Sequence, residues 1–154
     1  MKVNIKRIKH LNKKMNTSNL KVLLIEDDIL LIKTLEFVLK KEDYQVTACK
    51  DGLSAIEKIP VVVPDLIITD IMLPFHSGLE IIAFAKKHYK NIPIIVISSL
   101  EEEEAAVIES FTLGADDFIS KPFNPNELLI RVKRLFTKAK LNITNVNSTI
   151  NISA

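Results

Sequence analysis

From Leu20 onward, short solid apolar runs alternate with segments of helical periodicity. The apolar runs are Lys21–Ile25, Tyr44–Ala48, Leu66–Thr69, Ile94–Ser98 and Asp117–Ser120. They lack the polar alternation of a half-exposed strand, so they read as strands buried on both faces. The spacing predicts helices over about Ile29–Lys41, Gly52–Ile59, Gly78–His88 and Glu102–Leu113. In the first of these, Leu31, Leu35, Val38 and Leu39 form the apolar stripe, while Lys33, Glu36 and Lys40 are polar. Gly114 suits a helix stop. A fifth helix is announced by Asn124 as N-cap, Pro125 at the first helical position and Glu127 three residues after the cap, and its pattern runs to about Phe136. Five strands alternating with five helices imply a doubly wound α/β sandwich with a parallel sheet covered on both sides.

The ends of the chain differ from this core. Residues 1–19 hold Lys2, Lys6, Arg7, Lys9, Lys13 and Lys14 and no acid. Ile5, Ile8, Leu11 and Met15 fall near helical spacing there, so a basic amphipathic helix that meets a membrane surface or nucleic acid competes with a plain solvated extension, which is the expectation. Met15 is an alternative start of the protein, since Met15-Asn16-Thr17-Ser18-Asn19 leads directly into the first strand. Residues 142–154 carry no charge and are rich in Asn, Ser and Thr, the composition of a frayed tail. The division expected is a basic extension at 1–19, one domain at 20–138 and a polar tail at 139–154.

Composition narrows the class of protein. Hydrophobic residues make up 47% of 154, enough for a packed core and too many for a disordered chain. The net charge of +2 hides the basic extension; the remainder holds fifteen bases against nineteen acids, so the domain itself gives no sign of nucleic-acid binding. No apolar run approaches the roughly 20 residues that cross a bilayer, and Cys49, the one cysteine, cannot form an internal disulfide. A cytoplasmic protein is expected.

In a doubly wound sheet, ligands sit beyond the carboxyl ends of the strands, where strand order reverses. Those ends carry Glu26, Asp27 and Asp28 after the first strand, Asp70 after the third, Ser98 and Ser99 after the fourth, and Lys121 after the fifth. With strand order 2-1-3-4-5, the first and third strands are neighbours, and Glu26 and Asp27 fall beside Asp70. Three crowded carboxylates repel one another. A hard divalent cation relieves this, and Mg²⁺ suits a site with few carboxylates and room for water and phosphate oxygens. The Asp70 carboxylate can then serve as a nucleophile toward phosphorus, with Lys121 pairing a phosphoryl oxygen and the Ser98 hydroxyl donating to another. Taken singly, an Asp-Asp pair is most often a turn or cap, and a Lys-Pro a loop. It is their conjunction at strand ends of one architecture that points to phosphoryl chemistry.

At these residues the chain resembles the receiver domain of bacterial two-component response regulators. The resemblance runs from about Leu20 to Lys138 and rests on the stretches Val22–Asp28, Pro64–Pro74, Pro93–Ser98 and Gly114–Phe123. It implies a flavodoxin-like (βα)5 fold with sheet order 2-1-3-4-5. It also implies that Asp70 is the phosphoacceptor, that Glu26 and Asp27 hold Mg²⁺ with Asp70 and the backbone carbonyl of Met72, and that Asp28 caps the first helix. Ser98 would be the switch hydroxyl, Phe118 the switch aromatic, and Lys121 the phosphate-binding lysine, followed by a cis Lys121–Pro122 bond. A sensor histidine kinase or phosphotransfer protein would supply the phosphoryl group. The domain would not be an enzyme beyond assisting its own phosphorylation and dephosphorylation.

The stretch Lys121–Leu128 resembles the branch usually fused to winged-helix DNA-binding domains. In that branch the fourth helix, fifth strand and fifth helix form a phosphorylation-dependent homodimer through charged pairs. Asp116, Asp117, Glu127 and Arg131 match those positions, while Val107 stands where a base is usual. No winged helix follows, so the expectation is a receiver that signals through protein–protein contact on this face. The alternative is a remnant or split transcription regulator acting through dimerisation. Departures are few: a bulky Phe75-His76-Ser77-Gly78 loop, Ser99 after the switch position, and the apolar run Ile59–Pro64.

Overall fold

The computed structural model describes the backbone of residues 19–99 and 104–150, with side chains to residue 142. The elements are β1 (Lys21–Ile25), α1 (Ile29–Lys41), β2 (Gln45–Cys49), α2 (Gly52–Val62), β3 (Leu66–Asp70), α3 (Gly78–His88), β4 (Ile94–Ser99), α4 (Glu104–Leu113), β5 (Asp117–Lys121) and α5 (Pro125–Ile150). All strands are parallel, in the order β2-β1-β3-β4-β5. The alternation predicts such a parallel sheet, and the order is the flavodoxin-like one that the family resemblance implies.

The pleat sorts each strand's side chains between two apolar layers. Val22, Leu24, Leu66, Ile68, Ile95, Ile97 and Ile119 face one layer, which is closed by Ile32, Leu35 and Leu39 of α1 and Leu128, Val132, Leu135 and Phe136 of α5. Leu23, Ile25, Ile67, Ile94 and Val96 face the other, against Ala55 and Ile59 of α2 and Ile81, Ile82 and Ala85 of α3. The central strands are therefore apolar on both sides, and β3 is buried at all five positions. Each fully buried Leu or Ile contributes roughly 1.5–3 kcal/mol of transfer free energy.

Two helices run past their expected ends. α2 continues through Pro60 to Val62. Proline removes one backbone bond and is tolerated here because it falls in the last turn. The end is secured by the Val63 amide, which donates to Ile59 O at 2.9 Å, and by Lys21 Nζ, which donates to Val62 O at 3.2 Å. Val63 closes the helix at φ 45°, a left-handed conformation unfavourable for a β-branched residue. α5 continues past Phe136 to Ile150, because no glycine or proline interrupts residues 126–150. The expected start of the fourth helix at Glu102, most of the basic extension and residues 151–154 lie outside the described residues. No helix among the described residues is long and apolar enough to cross a membrane.

Candidate phosphoacceptor site

The pleat also builds the site. Glu26 prolongs β1, its amide donating to Cys49 O at 3.1 Å, and it follows Ile25 onto the side shared with Leu24. Asp70 shares that side with Ile68, and Lys121 shares it with Ile119. All three side chains therefore emerge together at the carboxyl ends of β1, β3 and β5.

Lys121 Nζ donates to Asp70 Oδ2 at 2.5 Å and stands 2.8 Å from Glu26 Oε2. The other Glu26 oxygen, Oε1, accepts from the Asp28 amide at 3.0 Å. Asp28 caps α1, with Oδ1 accepting from the amides of Leu30 and Leu31. Asp70 Oδ1 accepts from the Met72 amide at 3.1 Å. Met72 thus reaches the site through its backbone, and its side chain is exposed.

Carboxylate oxygens of Glu26, Asp27 and Asp70 lie within 4.8 Å of one another. Glu26 and Asp70 are buried, and Asp27 faces solvent. Burial pushes the Glu26 carboxyl above its ordinary 4.5, and the Asp70 charge pushes in the same direction; Lys121 and the Asp28 amide offset only part of this. For Lys121, burial pulls downward, but the bonds to Asp70 and Glu26 and their charges outweigh it and hold the ammonium above its ordinary 10.5. One ammonium against three carboxylates leaves a negative site with only oxygen donors. That set fits Mg²⁺, which prefers oxygen ligands near 2.0–2.1 Å and retains several waters.

Ser98 is buried at the end of β4, one position beyond Ile97, the partner of Asp70. Its hydroxyl has no hydrogen-bond partner among the described residues. Ser98 is paired with Ser120, and Phe118 with Val96 on the same side of the sheet. Phe118 is half-buried against the α2–α3 layer. The Lys121–Pro122 peptide is cis.

The loops around the pocket are tied down. The Gly78 amide donates to Ile71 O at 2.8 Å, and the Gly52 amide to Pro74 O at 3.0 Å. A Cβ at Gly78 would run into the Asp70 carbonyl, and one at Gly52 into the His76 carbonyl. α3 then starts from a capping box in which the Ser77 amide donates to Glu80 Oε2 at 2.7 Å and the Glu80 amide to Ser77 Oγ at 3.3 Å. The Ser-x-x-Glu spacing before an apolar run carries that signal in the sequence, as Asp51 before Ser54 does for α2.

The charged residues of the α4–β5–α5 face divide in two. Asp117 accepts from Arg131 Nη1 and Arg134 Nη2, both at 2.8 Å, and Arg131 Nη2 also reaches Glu127 Oε1 at 2.8 Å. Asp116 does not join this network. Its Oδ2 accepts from Lys86 Nζ at 3.0 Å and from the Ile94 amide at 2.9 Å, so it locks α3 to the start of β4.

Residues 22–133 match the family described as response regulator receiver domain. The receiver domain of the Francisella response regulator 1452 is 31% identical, with a TM-score of 0.71 over 78% of this chain and 98% of that one. A CheY-like receiver domain protein of Methanospirillum hungatei is 26% identical, with a TM-score of 0.78 over 81% and 99%. DrrB of Thermotoga maritima, described as an OmpR/PhoB homologue, is 29% identical, with a TM-score of 0.71 over 77% of this chain but only 53% of DrrB.

Proposed function

This chain belongs to the response regulator receiver family, and on that premise we propose that it takes a phosphoryl group on Asp70 from a histidine kinase or phosphotransfer protein. The observation that carries this reading is the convergence of Glu26, Asp27, Asp70 and Lys121 on one pocket from three separate strands.

In the transfer, an Asp70 carboxylate oxygen attacks the phosphorus of a phosphohistidine. The new P–O bond forms as the P–N bond breaks, and the imidazole leaves with the electron pair and takes up a proton. Mg²⁺, held by Glu26, Asp27, Asp70 and the Met72 carbonyl, would neutralise charge on the phosphoryl oxygens. Lys121 is already charged and aimed at Asp70, so it pairs with a phosphoryl oxygen without reorganisation. Its contact with Glu26 keeps it in place when Asp70 is modified.

Ser98 supplies the switch. Its buried hydroxyl lacks a partner among the described residues, and a phosphoryl oxygen on Asp70 offers one. Movement of the β4 end toward that oxygen opens space beside Phe118 and repacks α4–β5–α5, a local charge change biasing a two-state element. The exposed Ile108 (59%) and Phe111 (47%) of α4 suit this face to protein–protein output. The likeness to DrrB favours a second reading of the output, homodimerisation on the same face.

The test is incubation of the full chain with Mg²⁺ and acetyl phosphate, read by intact mass. One acid-labile phosphoryl adduct is expected, lost in Asp70→Ala and on chelation of the metal. An adduct that persists in Asp70→Ala would remove Asp70 from the role.

A further inference from the structure

The loop that leaves Asp70 holds Phe75 in a conformation that its side chain disfavours. Among the described residues, the non-glycine positions with positive φ are Asp43, Val63 and Phe75. Aspartate tolerates the left-handed region, and Val63 closes α2 through its amide bond to Ile59 O. Phe75 sits at φ 70°, and the His76 amide donates across it to Pro74 O at 3.0 Å. A bond from residue i+2 back to residue i around a positive φ is the rare, strained form of γ-turn. Glycine would adopt it without the steric cost that a Cβ brings. The Gly52 amide donates to the same Pro74 oxygen at 3.0 Å, so two amides hold the turn in place.

The strain is not offset by packing. Phe75 is 79% exposed, more than any other large apolar residue described. Strained backbone persists where its surroundings over-determine it, and it concentrates at functional sites.

The turn lies at the carboxyl end of the sheet, beside the phosphoacceptor pocket. Gly78 returns the loop to its origin: its amide donates to Ile71 O at 2.8 Å, and a Cβ there would run into the Asp70 carbonyl. Gly52 ties the middle of the loop to the start of α2, just beyond Cys49, whose carbonyl accepts from the Glu26 amide. Two further exposed apolar residues leave the strands at this end. Met72, bonded through its amide to Asp70 Oδ1, is 67% exposed. Leu30, whose amide donates to the Asp28 cap beside Glu26, is 76% exposed.

We infer that, on the reading of Asp70 given above, Phe75 is the anchor by which a protein phosphodonor is recognised. The strained turn presents its ring to an apolar residue of the donor that lies beside the phosphohistidine, with Met72 and Leu30 completing the apolar rim. The occupant is the donor and not a second copy of this chain, because a copy seated on these side chains would shut the pocket that the phosphorus must enter. A small phosphodonor needs no such contact.

The test compares Phe75→Gly and Phe75→Leu with the parent, as full chains with Mg²⁺ and with two donors. The protein donor is taken from the purified histidine kinases of the source organism, each autophosphorylated with ATP, and the one that transfers fastest to the parent is the probe. Phe75→Gly should raise the KM for the receiver about tenfold with little change in kcat, the mark of lost docking. Phe75→Leu keeps an apolar side chain and should recover most of that loss. With acetyl phosphate both variants should react at the parent's rate. The urea midpoint of Phe75→Gly should rise, because glycine relieves the turn. A parental KM in Phe75→Gly, an equal loss with acetyl phosphate, or a lower urea midpoint would overturn the inference. So would a parent that is phosphorylated by acetyl phosphate and by none of the kinases. A parent that takes no phosphoryl group from acetyl phosphate would overturn the reading of Asp70 first, and this one with it.

Discussion

Lys121 Nζ lies 2.5 Å from Asp70 Oδ2 although 51 positions separate the two residues in the chain. The same ammonium stands 2.8 Å from Glu26, so among the described residues it is the one cation supplied to these two buried carboxylates. Lys121→Met should therefore destabilise the metal-free domain by about 1–3 kcal/mol, the usual cost of leaving a buried polar group without its partner. Mg²⁺ should restore more stability to the variant than to the parent, because the metal replaces the lost charge. Urea denaturation with and without Mg²⁺ decides the matter. Equal stability of the two proteins without metal would show that Lys121 is not neutralising the site.

Asp27 differs from its neighbours by being exposed, and removing it should separate metal binding from folding. Asp27→Asn is expected to weaken Mg²⁺ binding at least tenfold, since even outer-shell changes typically cost 10–100-fold. The urea midpoint of the metal-free protein should hardly move. Titration calorimetry with Mg²⁺ tests both halves, and an unaltered affinity would take Asp27 out of the metal site.

Ser98 gives a prediction of opposite sign. Its hydroxyl is buried without a partner among the described residues, so Ser98→Ala removes a desolvated polar group and leaves no cavity of consequence. The unphosphorylated domain should be as stable as the parent or more stable, by up to about 1 kcal/mol. Phosphorylation should still occur on Asp70, but the change it produces in the NMR signals of Phe118 and α4 should shrink. A marked loss of stability would mean that the hydroxyl has a partner in solution that the described contacts lack.

Much of this site was legible because buried parallel strands are solid apolar runs whose carboxyl ends can be read directly. Glu26, Asp70 and Lys121 can each be located that way, whereas the cap at Asp28 follows from the family resemblance. Helix ends were less legible. The spacing ends the second helix at Ile59, yet the last turn of α2 passes through Pro60 with support from Lys21, which lies 41 positions from Val62. The uncharged residues after Lys140 read as a tail, yet nothing in them breaks a helix that is already formed. The bond from Asp116 to Lys86 was not legible, because the two are 30 positions apart and meet only after α3 and β5 have docked.

The two helix caps beside the pocket should show in the acid limb of stability. Asp51 is held below its ordinary 3.8 by bonds from the Ser54 amide and hydroxyl. Glu80 is held below its ordinary 4.5, first by the Ser77 amide and then by His76. A carboxyl with a depressed folded-state pKa binds fewer protons folded than unfolded. Its contribution is thus complete above the ordinary value and disappears as pH falls through the folded one. Stability should be insensitive to these groups near neutrality and should decline below about pH 4.5. In Glu80→Gln, part of that decline should vanish, because Gln can still accept from the Ser77 amide but does not titrate. Parallel urea midpoints of parent and variant across the acid range, with the Glu80 carboxyl followed by NMR, would show it. Identical acid limbs would mean that the capping box is not formed in solution, and the start of α3 beside Asp70 would then lose its anchor.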